Sequence, residues 1–250
     1  LVIFTLVAIP TVSFAQATNP TENFAQAYTS YSSGSLTQAK ELFQQTLEPD
    51  FLLADYSLYY LALISLKEAN LEAAKQFLSQ LRSRYPQSIW FHPAQLEQAK
   101  IELAEKNFAQ ANETLRSLRS ESGVKAEIID EAIFLQAQQR EAVAEQSQAH
   151  RLYSELRARS PRSRWTAPAR AALRRLREKY PDQFGLNTIQ AIADEADRLA
   201  QEGEYGEAEV LYRNLLSNNP EPTFRRRILT KLTDLFLPLR KRNEAIPLLG

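Results

Sequence analysis

Cysteine is absent from all 250 residues, which excludes disulfides, thiolate zinc sites, a cysteine nucleophile and lipid attachment through an N-terminal cysteine. Methionine is absent too. Glycine is scarce, with six residues, and no glycine-rich phosphate loop, Gly-x-Ser-x-Gly elbow or His-Glu-x-x-His stretch occurs. Net charge is missing as well. Thirty basic residues balance thirty acidic ones, so bulk electrostatics imply neither nucleic acid nor an anionic membrane as a partner. The two histidines, His92 and His150, stand far apart without a second ligand at metal-binding spacing. No metal, cofactor or catalytic residue is therefore expected.

What remains is helical. A hydrophobic content of 44%, with abundant Ala, Leu, Glu, Gln and Arg, favours an all-helical array over a sheet. The clearest stretch runs from Ile189 to Pro220. Apolar or small residues recur at Ile192, Ala196, Leu199 and Ala200, and again at Tyr205, Ala208, Leu211, Tyr212, Leu215 and Leu216, the spacing of two amphipathic helices. Gly203 separates them and Pro220 ends the second. A small residue, Ala208, followed one turn later by an aromatic, Tyr212, resembles the core of a tetratricopeptide repeat. Glu195 departs from that pattern, since leucine is usual there. The resemblance implies an all-α fold: helix-turn-helix repeats stacked into a right-handed superhelix, an α-solenoid. Its first helices would line a concave face that includes Tyr56, Tyr59, Leu63, Gln95 and Arg140.

The key alanine recurs at Ala39, Ala74, Ala111, Ala149, Ala208 and Ala245, in steps of 35, 37, 38, 59 and 37. Gly34, Asn70 and Asn107-Phe108 mark turns, and Asp55 is expected to cap a first helix. The 59-residue step holds one extra helix, from about Trp165 to Tyr180. The expected organisation is a partial signal peptide at 1–15 and a flexible lead-in at 16–23. A first block of four helix pairs follows at 24–163, then the extra basic helix and linker at 164–187, and a second block at 188–250 whose last repeat is cut.

Leu1 to Pro10 is almost wholly apolar, and Thr11-Val12-Ser13-Phe14-Ala15 then offers small residues to a signal peptidase, with Ala15-Gln16-Ala17 as an alternative. A short membrane anchor is the competing reading, but the apolar run is shorter than the roughly twenty residues a span needs. An exported or periplasmic protein is expected, without a stable membrane span once the signal is cleaved.

Between Arg151 and Lys179 stand ten basic residues against two acidic ones. Arg164, Trp165, Arg170 and Arg174 could grip an acidic polymer or partner through guanidinium forks and an indole face. Alternatively the stretch is a helix face balanced by the acidic residues from Asp194 to Glu209. Together with Tyr56 and Tyr59, those four are the candidate partner-binding residues.

The run LLADYSLYYLALISLKEANLEAAKQFLSQLRSRYPQS, Leu52 to Ser88, and the string SRWTAPARAALRRLREKYP resemble the N-terminal helical region of soluble lytic murein transglycosylases. That resemblance implies a scaffold beside a separate peptidoglycan-cleaving domain. Glu121-Ser122 copies that domain's Glu-Ser pair, but Gly123-Val124 lacks the aromatic that follows. A Tyr-rich repeat with a Tyr-Pro-x-Ser linker is also similar to stand-alone periplasmic adaptors of cell division and envelope assembly. The expected partner is peptidoglycan or another envelope protein.

Overall fold

The computed structural model describes residues 19–48, 50–218, 220–236, 238–241 and 243; the expected signal segment and Ala245 lie outside them. Among the described residues every regular element is a helix: α1 (Pro20–Ser32), α2 (Leu36–Gln45), α3 (Ala54–Lys67), α4 (Leu71–Arg84), α5 (Phe91–Ala104), α6 (Phe108–Ser120), α7 (Ala126–Ala142), α8 (Gln146–Arg159), α9 (Thr166–Lys179), α10 (Pro181–Phe184), α11 (Ile189–Glu202), α12 (Tyr205–Ser217) and α13 (Pro222–Phe236). The chain forms two compact units, residues 1–94 and 95–250. The stretch 164–187, expected to separate two blocks of repeats, lies inside the second unit.

Each helix pair is closed by one backbone device. The last residue of the turn adopts the left-handed conformation at Gly34, Ala69, Lys106, Ala144 and Gly203, always five residues before the key alanine. The next backbone N–H then reaches back to the first helix: Ser35 to Ser30, Asn70 to Ser65, Asn107 to Glu102, Glu145 to Arg140 and Glu204 to Leu199, each at 2.8 Å. These are Schellman closures, which satisfy carbonyls that a helix C-terminus leaves unpaired. The same residue begins the second helix, its carbonyl accepting the N–H of Ala39, Ala74, Ala111, Ala149 or Ala208 at 3.0–3.1 Å. All five alanines are fully buried. Because this backbone circuit sets the register, the alanine always lands at the crossing of the paired helices, where only a small side chain fits.

Asn19 caps α1 by accepting the Thr21 N–H at 3.1 Å, and Pro20 occupies the first helical position, where its missing N–H costs nothing. The helix thus begins inside the stretch expected to be a flexible lead-in. Asp55, expected to cap α3, instead sits one residue inside it, because Leu53 holds the capping position. Its carboxylate accepts the Ser88 hydroxyl, which ties the segment before α5 to the start of α3.

The first unit packs α1 on α2 and α3 on α4 around Ala27, Ala39, Phe43, Leu61 and Ile64. In the second unit one core joins α7, α8 and α9 through Ile133, Phe134, Tyr153, Leu156, Leu173 and Leu176. Another joins α11, α12 and α13 through Leu199, Tyr212, Leu215, Ile228, Leu232 and Phe236. Burying such a side chain contributes roughly 1.5–3 kcal/mol each.

Candidate partner-binding site

Phe24, Tyr28 and Tyr31 stand four and three residues apart on α1, so they share one stripe of that helix; Tyr56, Tyr59 and Tyr60 do the same on α3. Trp90, just before α5, closes the set. The indole stacks on Tyr59 with centroids 4.3 Å apart and meets Tyr56 edge-on at 5.4 Å. Tyr60 stacks on Phe43 at 5.2 Å and meets Tyr31 at 5.0 Å and Tyr28 at 5.6 Å, both edge-on. Phe24 joins Phe43 to Tyr56 at 5.6 and 6.3 Å. The rings form one continuous cluster whose inner members are core and whose outer members are wet. Tyr59 and Phe43 are buried, Tyr31, Tyr56, Tyr60 and Trp90 are half-buried, and Tyr28 is 48% exposed. The Lys67 ammonium sits 4.2 Å from the Tyr31 ring centroid. Burial raises the pKa of Tyr60, with further contributions from the hydroxyls of Tyr28, Tyr31 and Tyr56, so its phenol stays protonated.

Tyr56 and Tyr59 are therefore brought together, and the sequence reading missed Tyr28, Tyr31, Tyr60, Lys67 and Trp90. The signal for Trp90 was present. Residues 84–93 and 159–168 share the string Arg-x-Pro-x-Ser-x-Trp-x-x-Pro, 75 residues apart. The structure repeats the arrangement: Trp165 stacks on Phe134 at 4.8 Å, as Trp90 does on Tyr59, and the backbone N–H of each tryptophan donates to the hydroxyl of the serine two residues before.

Of the other expected residues within the first-helix face, Leu63 is half-buried, Gln95 is buried, and Arg140 donates to Glu145 at 2.8 Å across the α7–α8 turn.

Part of the arginine-rich stretch is committed to carboxylates inside the second unit. Arg157 is fully buried, donating from Nη1 to both oxygens of Glu195 at 3.0 and 3.1 Å and from Nε to Glu202. Arg177 grips the same Glu195 carboxylate bidentately at 3.0 and 3.1 Å. Arg170 donates to Glu202 at 2.8 Å and to Glu204. Arg175 lies outside this set and forks onto Glu141, which also accepts the Tyr153 hydroxyl. The network thus bolts α8 and α9 to α11, across the irregular 59-residue step. It also accounts for Glu195 in a leucine position: the carboxylate is buried because two guanidiniums follow it in. Burial pushes the Glu195 pKa up, but Arg177 and Arg157 outweigh burial and hold it below the usual carboxylate value.

Arg164 is exposed, donates to Glu131, and lies with its guanidinium 5.0 Å from the Trp165 ring centroid. Arg174 is exposed and has no ion partner among the described residues. Arg164 and Trp165 stand together, while Arg170 is committed to its carboxylates. Among the described residues there is no group of three His, Cys, Asp or Glu that could hold a metal ion, and no helix long and apolar enough to cross a membrane.

A family model described as Iml2/Tetratricopeptide repeat protein 39 matches residues 35–203. No curated protein matches the chain. Among solved structures, a tetratricopeptide repeat protein from Parabacteroides merdae ATCC 43184 is 15% identical with a TM-score of 0.47, covering 92% of this chain and 77% of its own. PilF of Pseudomonas aeruginosa is 14% identical with a TM-score of 0.46, covering 92% and 88%. The tetratricopeptide domain of P58(IPK) is 16% identical with a TM-score of 0.39, covering 92% and 82%.

Proposed function

The chain belongs to the Iml2/Tetratricopeptide repeat protein 39 family, and from that premise we propose that it is a protein-interaction scaffold holding its partner on the aromatic face of α1 and α3. One observation carries the reading. The first unit leaves Tyr28 exposed and Tyr31, Tyr56, Tyr60 and Trp90 half-covered, whereas the arginines Arg157, Arg170 and Arg177 of the second unit spend their charge on its own carboxylates. Aromatic side chains with a polar tip are the groups that anchor protein interfaces, because they bury a large area at little entropic cost.

An exported location is supported by the apolar leader and the small residues at Ser13 and Ala15. Of the two envelope settings suggested by resemblance, the stand-alone adaptor is the one carried forward, since the family match spans most of the helical array and concerns repeat proteins. The scaffold of a peptidoglycan-cleaving transglycosylase remains the competing setting, with the resemblance of Leu52 to Ser88 in its favour.

The test is co-purification of the tagged chain from its source cells. A protein that accompanies the wild type is expected to be lost from Tyr28→Ser/Tyr56→Ser and retained by Arg164→Ser/Arg174→Ser, with helicity unchanged in both. Loss only from the arginine variant, or sedimentation with cell-wall sacculi that depends on those arginines, would overturn the reading.

A further inference from the structure

We propose that the strap from Tyr180 to Asn187, which carries α10 and joins α9 to α11, is an acid-released latch held closed by the stack of His150 on Phe184. The holding side chains all come from α8. The imidazole of His150 lies flat on the Phe184 ring, with centroids 4.6 Å apart and planes 8° from parallel. One turn earlier Ser147 Oγ accepts from Gln183 Nε2 at 2.7 Å, and Gln146 Nε2 donates to the Tyr180 hydroxyl at 3.4 Å. Tyr180 in turn meets Phe184 edge-on at 6.2 Å. Past Phe184 the strap turns back on itself, the Gly185 N–H and the Asn187 side-chain amide both reaching the Pro181 carbonyl, at 2.9 and 3.2 Å. His150 is therefore the titratable group on which this docking of the strap turns.

The charge around it gives the latch its direction. α8, α9, the strap and α11 enclose a cleft of about 360 Å³ whose titratable lining is His150, Arg177, Asp194, Glu195 and Arg198. Arg177 comes from α9, and the other three from α11. Glu195 is already gripped by Arg157 and Arg177, and Asp194 accepts from Gln190. The strap lines the cleft with uncharged residues, and its Asp182 is exposed. On α7, which also packs against α8, Glu141 is held by Arg175 and the Tyr153 hydroxyl. Within α8 the residue after His150, Arg151, is exposed and adds only positive charge. A proton on His150 thus places another cation beside Arg177 and Arg198, facing carboxylates that are already engaged. Burial, and then those two arginines, hold the imidazole pKa below its ordinary value against the opposing pull of Glu195. Freed into water, the same imidazole titrates near about 6.5. The closed strap is accordingly fully favoured above that pH, and the advantage is lost as the pH falls through the lower value of the closed state. Glu195 still carries its charge where the loss begins, so the arginine bolts hold α8 and α9 to α11 while the strap lifts.

Hydrogen exchange of the full chain tests this at the amides of Phe184 and Gly185, which donate to Tyr180 and Pro181. With intrinsic rates divided out, their protection is expected to fall about three- to tenfold between about pH 7.5 and about pH 5.0. His150→Phe keeps a ring against Phe184 and cannot charge, so it should hold its protection across that range. His150→Gln, which removes the ring, should show low protection at both ends with helicity unchanged. Proton NMR of the histidines should place the titration of His150 below about 6.5. Wild-type protection that does not change with pH, or that is lost equally in His150→Phe, would overturn the proposal. The latch lies in the second unit, so its failure leaves the scaffold reading of the first standing.

Discussion

Left-handed backbone at a residue with a side chain costs roughly 1–2 kcal/mol, and three of the five helix-pair turns accept that cost at Ala69, Lys106 and Ala144, as Arg240 does after α13. Gly34 and Gly203 do the same work without it, and a Cβ at either would meet no atom within 4 Å. Replacing Ala144 or Lys106 with glycine is therefore expected to stabilise the second unit by about 0.5–1 kcal/mol in urea unfolding, and Gly203→Ala to destabilise it by about as much. A neutral or destabilising Ala144→Gly would mean that the unfolded-state entropy of glycine outweighs the relief of strain. The turns also show what the sequence concealed. The buried alanines were legible because smallness recurs at a fixed spacing, but at three of the five turns no glycine advertises the left-handed residue five places earlier. Its position follows only from the Schellman bonds between Ser65, Glu102 or Arg140 and the residue that opens the next helix.

At the scale of the helices, Arg157, Arg177 and Arg170 join α8 and α9 to α11 through Glu195 and Glu202, whose side chains are all but buried. Breaking a buried ion pair from one side leaves a stranded charge, which typically costs 3–5 kcal/mol, whereas removing both sides is far milder. Glu195→Leu, although it restores the residue usual in such repeats, is thus expected to destabilise the second unit by about 3 kcal/mol or more. Arg157→Met/Glu195→Leu should recover much of that loss, because Arg177 is near enough to the surface to find water. Urea unfolding followed by Trp165 emission in a Trp90→Phe background reads both. Equal destabilisation by single and double variants would refute the coupling. The sequence showed the excess of basic residues, the acidic stretch that could balance it, and the odd glutamate at 195. It could not show the pairing, because Arg157 and Glu195 lie 38 residues apart and meet only once α9 has been inserted between their repeats.

Over the whole molecule, the two units hold together by different chemistry, and each carries one tryptophan to report on it. The first relies on its aromatic cluster and on surface pairs such as Lys40 with Glu68, which contribute little. The second depends on buried carboxylates. Since the folded pKa of Glu195 lies below its unfolded value, its contribution is complete above the unfolded glutamate pKa, about 4.3, and is lost as the pH falls through the folded value. On acidification Trp165 emission, in Trp90→Phe, is expected to change at a higher pH than Trp90 emission in Trp165→Phe. Coincident transitions would contradict that division. The aromatic face itself was half legible. Tyr56 and Tyr59 followed from the repeat pattern, but the contribution of α1 was hidden by its polar neighbours, and Trp90 by its place in a linker.

The measurement that tests the central claim most directly is fluorine NMR of the chain labelled with fluorotyrosine, recorded with and without the protein that co-purifies with it. The account predicts that the signals of Tyr28, Tyr31, Tyr56 and Tyr60 shift or broaden on binding, while those of Tyr153 and Tyr212, buried in the second unit and donating to Glu141 and Asp197, stay in place. Unmoved signals from the first four tyrosines in a complex that demonstrably forms would contradict it.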